Sequence, residues 1–306
     1  MPRSKNETDA PAAAKDDPQG RIYRSALKQE GARWLLTAEE GLLAKPKPPG
    51  LVPALENAIA IVDYINGTPP HIASLAELST TLGISKSHCH SILKTLTHFG
   101  WLKFDNRSKS YELNSGLVAS ASSFLGSPVL DRIRIELAAF VRRAGLTTVL
   151  TQPQADDSFI CVDKLNAPQA MEVSFPLGHH FPRDSTAHLR AYLAWQSPDK
   201  IDRWMRDWQP VRYTSATLLT EEEVRAEIAA TRKRGYARSV GELTEGLMAL
   251  AMPIFDRYGE VIYIFSCSGL LATVAPREET IGQEMIRTAM DISHAIQGRL
   301  PPGFPG

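Results

Sequence analysis

Cysteine is scarce, net charge is nil and no long apolar run occurs in this 306-residue sequence; each absence removes a class of protein. Cys89, Cys161 and Cys267 are odd in number and share no short spacing, which excludes a disulfide framework and a zinc knuckle and leaves reduced thiols as the expectation. Lys and Arg total 34 against 34 Asp and Glu, so the whole chain exerts no net pull on a polyanion. No apolar stretch approaches the ~20 residues needed to cross a bilayer, and residues 1–20 lack the apolar centre of a secretory signal. A cytoplasmic protein with no membrane partner is expected.

Catalytic chemistry is equally thin. Ser266, Cys267 and Ser268 lack the glycine-flanked turn that presents a nucleophile, and His179 and His180 have no third ligand at useful spacing. Glu221, Glu222 and Glu223 fit the first turn of a helix, where the macrodipole favours acids. No catalytic residue, metal ligand or cofactor is assigned, and an enzyme is not expected.

What the chain does have is enough apolar content, 43%, for two cores. Residues 1–50 form an N-terminal extension expected to be disordered or partly helical, closed by the stiff KPKPPG break. Residues 51–115 are expected as a first folded domain, 116–145 as linker and dimerisation helices, and 146–300 as an α+β domain. In the last, β-type runs (147–152, 159–165, 171–175, 250–255, 261–268) mix with helices (187–195, 198–207, 221–235) before a closing helix over 277–300.

The densest signal lies between Ser74 and Leu113. Leu75, Leu78 and Leu82 recur at helical steps, Gly83 permits a sharp turn, Ile84 plugs it, and Ser85 can cap a second helix running to Gly100. In that helix Cys89, Ile92, Leu93, Leu96 and Phe99 make an apolar stripe, which turns Ser87, His90, Ser91 and Lys94 outward. Two alternating runs then flank a turn-rich loop at 105–109, the pattern of a β-hairpin wing. An earlier helix over 51–66 carries Leu55, Ala58, Ile59, Val62 and Ile65 on one face for packing beneath the other two. Between Ser85 and Ser110 five bases, Lys86, Lys94, Lys103, Arg107 and Lys109, face the single acid Asp105, a local net charge of +4. Because salt screens charges beyond about 10 Å, this local excess is what a phosphate would meet. A winged helix-turn-helix that binds double-stranded DNA follows, with Ser85, Lys86, Ser87, His88, His90, Ser91, Lys94, Arg107 and Lys109 as candidate contacts. His88 and His90, two apart on a helix, do not face each other, so they are read as hydrogen-bonding or solvent-facing rather than metal ligands.

The strings ALENAIAIVDYI, SLAELSTTLGISKSHCHSILKTLTHFGWL and YELNSGL, followed by TAHLRAYLAW, RKRGYARSVGELTEGLMALAMPIFD and GEVIYIFSCSG, resemble in order and spacing the IclR family of bacterial transcriptional regulators. The resemblance covers nearly all of 51–300. It implies an N-terminal winged helix-turn-helix, a linker helix and a C-terminal GAF-like α+β effector-binding domain. It also implies a homo-oligomer, dimer or dimer of dimers, that binds inverted-repeat operators as repressor or activator. Against the family's Lys-Ser-Thr-Val-His-Arg run, Lys86, Ser87 and His90 match, while His88 and Ser91 depart and remove an arginine suited to reading guanine.

By the same resemblance the small-molecule effector lies among Ala187, His188, Leu189, Ser239, Met248, Ala249, Ser266 and Ser268. Period two puts Ser266 and Ser268 on one strand face with Ile262 and Ile264. Their hydroxyls can serve as ligand donors or merely satisfy neighbouring backbone. His188 can hydrogen-bond or pair with an acidic ligand group, or face solvent at its helix start. Leu189, Ser239 and Ala249 replace a glycine, an acid and a cysteine of the family pattern, which implies a bulkier, less polar pocket for an organic, possibly aromatic, acid. The alternative is an effector-independent DNA-binding protein acting as a heteromer with a paralogue.

Overall fold

The computed structural model describes residues 50–168 and 175–305. The N-terminal extension and all but the last residue of the expected strand at 171–175 lie outside the described residues.

The first unit has helices α1 (Pro53–Gly67), α2 (Leu75–Thr81) and α3 (Lys86–His98), with strands β1 (Ile72–Ser74), β2 (Leu102–Asp105) and β3 (Ser110–Leu113). Local chemistry sets the boundaries. Ser74 and Glu77 close a reciprocal capping box at the start of α2, and Gly83 takes the turn at φ 65°. The Ser85 hydroxyl accepts the His88 amide at the start of α3. β2 and β3 pair antiparallel as the expected wing. The unforeseen β1 pairs along the other edge of β3. Ile61, Ile65, Leu78, Ile84, Cys89, Ile92, Leu93 and Leu96 form one core.

Two expectations fail here. Leu55 and Ile59 are 62% and 61% exposed, because α1 turns Ala58, Ile61, Val62 and Ile65 inward instead. Phe99 is 69% exposed, because α3 ends before it and its backbone leaves the stripe as the C-cap.

The connector is α4 (Gly116–Ser120), α5 (Ser122–Leu125) and α6 (Pro128–Ala144), three helices within the expected 116–145 segment. The second unit holds β4 (Thr148–Pro153), β5 (Phe159–Leu165), β6 (His180–Phe181), α7 (Thr186–Leu193), α8 (Pro198–Arg206) and α9 (Glu221–Arg234). It continues with β7 (Ala237–Val240), β8 (Leu247–Phe255), β9 (Val261–Leu270), α10 (Leu271–Val274) and α11 (Glu278–Ile296). The strands form one antiparallel sheet in the order β6-β5-β4-β9-β8-β7. Strand alternation divides the core in two. Leu250, Met252, Phe265 and Cys267 pack under α6 and α11. Val149, Ala237, Ala251 and Ile264 pack under α7, α8 and α9. The apolar stripe of α6 (Leu130, Ile133, Leu137, Phe140) packs into its own subunit's core, while Ile135 on the same helix is 66% exposed.

Candidate DNA interface and small-molecule site

Helical geometry gathers Lys86, His90 and Lys94 on one exposed stripe of α3, with Ser87 and Ser91 beside it, opposite the buried Cys89, Ile92, Leu93 and Leu96. His88 is half-buried at the margin. The Ser91 hydroxyl donates to the Ser87 carbonyl at 3.0 Å, which leaves its lone pairs outward. In the wing, Asp105 accepts the Arg107 amide at 2.9 Å and the Ser108 hydroxyl at 2.7 Å, and these bonds hold its carboxyl below the usual carboxylate range. Asp105 thus braces the tip that exposes Arg107. Lys109 turns back, its ammonium 5.9 Å from the Phe104 ring centre, and Lys103 pairs with Glu112 at 2.8 Å. The free cations of this surface are therefore fewer than its net charge suggests. Among the described residues, Lys86, Lys94 and Arg107 project without a carboxylate partner.

On the α7 side of the large sheet, the register aligns small side chains in two rows. Ser239, Ala249 and Ser268 lie opposite one another across β7, β8 and β9, as do Ala237, Ala251 and Ser266. This shallow floor lets α7 approach closely. The His188 ring reaches down to Ser266, Nε2 to Oγ 3.0 Å, and its Nδ1 lies 3.3 Å from the Ser185 hydroxyl. Phe181 and Phe159 flank it, with ring centres 4.5 and 5.7 Å away. Burial, and secondarily the neighbouring His179, push its pKa down to about 3, so the imidazole is neutral near neutral pH. It is neither solvent-facing nor ready-charged for an acidic ligand. Thr186 donates to Ser239 at 2.7 Å, which extends the polar line along α7.

The structure brings Ala187, His188, Ser239, Ala249, Ser266 and Ser268 to this face. It does not bring Met248, which alternation turns into the α6 and α11 core, on the opposite side of the sheet. Ile262 also leaves the Ser266 face, because a register shift between Ile254 and Phe255 makes it the extra residue of a bulge. Leu189 lines a separate crevice with Thr186, Trp208, Tyr213 and Leu218, whose volume of about 20 Å³ holds a single water.

One feature was missed from sequence. Arg190 and Glu242 form a buried bidentate pair at 2.8 and 2.5 Å, and Arg190 also donates to the Arg238 carbonyl at 2.7 Å. The pair ties α7 to the 241–246 loop, which Thr214 and Thr217 grip through the Gly241 and Glu242 carbonyls. The signal was the lone arginine inside TAHLRAYLAW, since a cation within an otherwise buried helix requires a buried acid.

Known proteins match this architecture throughout. The sequence model of the IclR helix-turn-helix domain matches residues 54–106, and that of the bacterial transcriptional regulator IclR C-terminal domain matches residues 126–294. The HTH-type transcriptional regulator XynR of Escherichia coli is 26% identical over 248 residues, 80% of this chain and 98% of the relative. The transcriptional repressor IclR of Escherichia coli is 26% identical over 258 residues, 81% of this chain and 92% of the relative. An IclR transcriptional regulator from Alicyclobacillus acidocaldarius shares the fold with a TM-score of 0.72 at 24% identity, over 80% of this chain and 99% of that one. With a helix-turn-helix and a curled-sheet domain each matched in place, the chain belongs to the IclR family of DNA-binding transcriptional regulators, and its family is one of regulators rather than enzymes.

Proposed function

We propose that the protein reads an inverted-repeat operator with α3 and the wing, and that a small organic acid lodged between α7 and the sheet modulates that binding. The observation that carries the DNA reading is the exposed Lys86, His90 and Lys94 stripe with Arg107 presented by the braced wing. Lys86, Lys94 and Arg107 suit phosphates; His90, with Ser87 and Ser91, suits base edges; Ser85 caps the helix, and His88 and Lys109 sit at its margins. Two copies would supply two half-sites. The exposed Leu55, Ile59 and Val118 support pairing through the outer face of α1 and α4, and the exposed Ile135 and Val129 offer α6 as a further contact.

The effector reading rests on the Ser266–His188–Ser185 chain above a floor of small residues. Its groups are neutral hydroxyls and a neutral imidazole, so an acid held there is bound by hydrogen bonds, or draws a proton onto His188 as it enters. The nearby crevice is water-sized, so a ligand of several heavy atoms must part α7 from the sheet or displace the 208–218 segment. A ligand that binds only the opened arrangement shifts the population toward it, which is the thermodynamic requirement for control of a distant DNA-binding unit. Calorimetry with benzoate-type and short keto acids in buffers of different ionisation heat tests both points. The expected result is binding with proton uptake, lost in Ser266→Ala. Binding that ignores Ser266 and His188 substitutions would place the effector elsewhere.

A further inference from the structure

A second cavity lies outside the His188 face. It occupies about 170 Å³ between α7, α8 and the turn joining β4 to β5, lined by Asp157, Arg183, Tyr192, Leu193, Lys200, Arg203, Trp204 and Asp207. Three of these are cations, and none is well satisfied. Arg183 lies over the Trp204 ring at 5.0 Å and holds Asp157 only at 3.8 Å. Its terminal nitrogens reach the Trp204 and Asp207 carbonyls at 3.5 Å, the outer limit of a hydrogen bond, and its buried Nε has no partner. The Lys200 ammonium is 4.7 Å from the Tyr192 ring centre, and neither Lys200 nor Arg203 has an ion pair among the described residues. Trp204 is 3% exposed, yet its indole N–H is also unpartnered.

Two of these donors, Arg183 Nε and Trp204 Nε1, are buried with no partner among the described residues. Buried donors left unmade are costly, so a cavity that sets two of them beside the cationic Lys200 and Arg203 is suited to a ligand that brings acceptors and negative charge. The cation-over-ring pairs hold Arg183 and Lys200 on its walls, while Asp157 and Asp207 set a limit on affinity by opposing the anion. A volume near that of a benzene-sized cavity restricts the occupant to a few heavy atoms.

We propose that this cavity is a second ligand site, for a compact anion of carboxylate or phosphate chemistry, separate from the site at His188. Arg183 and Arg203 clamp the oxygens, Lys200 adds a point charge, and the Trp204 indole donates the neutral bond. Arg183 lies two residues after Phe181, whose ring packs on His188, so the two sites share one chain segment.

The test is titration calorimetry of the full chain, free of DNA, with inorganic phosphate in one arm and succinate in the other. Expected is one site per chain in at least one arm, weakened by added sodium chloride and weakened tenfold or more in Lys200→Gln/Arg203→Gln. These residues lie at the surface end of the cavity, so the double variant should keep the wild-type melting curve. Binding is expected to persist in Ser266→Ala. A response to phosphate alone assigns phosphate chemistry, and a response to succinate assigns a carboxylate. No heat in either arm at millimolar anion overturns the proposal. So does binding that survives Lys200→Gln/Arg203→Gln but disappears in Lys86→Gln/Arg107→Gln, which would locate the anion on the DNA face.

Discussion

Replacing His188 by leucine should flatten the acid side of the protein's stability profile. In the folded chain burial pushes the His188 pKa down to about 3 from an ordinary 6.5. The fold therefore selects the neutral ring. Below the unfolded value the unfolded chain takes up a proton that the folded chain refuses, so stability present above about pH 6.5 is lost as pH falls toward the folded value. One pKa unit corresponds to about 1.4 kcal/mol, which makes the loss about 2 kcal/mol between roughly pH 7.5 and pH 5. His179, half-buried and pushed down to about 4, adds a parallel loss that the variant leaves in place. The difference between wild type and His188→Leu thus isolates one ring. At neutral pH the variant should itself be destabilised by about 1–3 kcal/mol, since the buried Ser266 and Ser185 hydroxyls each lose a partner. Urea denaturation followed by tryptophan emission is suitable, because Trp195, Trp204 and Trp208 all lie in the second unit. Parallel pH profiles for the two proteins would refute the buried-neutral assignment, as would an NMR titration placing the His188 ring near its ordinary pKa.

Two further outcomes follow from the geometry. Glu242→Gln should strand the buried Arg190 guanidinium and cost about 3–5 kcal/mol in the same denaturation assay, whereas a change in the exposed Glu221–Arg225 pair should cost under about 1 kcal/mol. Leu55→Asp/Ile59→Asp should leave the melting curve of the monomer unit unchanged while reducing the dimer fraction by sedimentation; an unaltered dimer would move the subunit contact off α1.

Much of this molecule was legible from one sequence because its signals are local. Leu78, Gly83, Ile84, Ser85 and the α3 stripe specify a turn and a helix between Leu78 and Leu96, and β2 with β3 is a hairpin closed by Asp105. What failed depends on distant partners. Periodicity alone gave α1 an apolar face through Leu55 and Ile59, but the side that packs is chosen by α3 and β3. Strands β1 and β6 have three and two residues, too short to show alternation, and form because an existing edge pairs with them. At the candidate small-molecule site, Ser266 and Ser268 share one face because period two holds along β9 beyond the Ile262 bulge. Met248 was misplaced because resemblance transfers a segment, whereas the face each residue occupies is decided by register with β9. Neither His188 burial nor the Arg190–Glu242 pair has a local signature beyond a polar residue in an apolar helix.

Whether α3 and its wing read DNA is decided by selection from a random duplex pool followed by salt titration of the winning sequence. Wild type should select an inverted repeat and bind with a steep dependence on salt, the log-log slope falling by about 0.9 for each phosphate contact removed in Lys86→Ala or Arg107→Ala. His90→Ala should relax sequence preference by about 1–3 kcal/mol with little change in slope. The triple variant Lys86→Ala/His90→Ala/Lys94→Ala should lose the selected site altogether. Undiminished affinity and an unchanged slope in that triple variant would contradict the assignment of α3 as the reading helix.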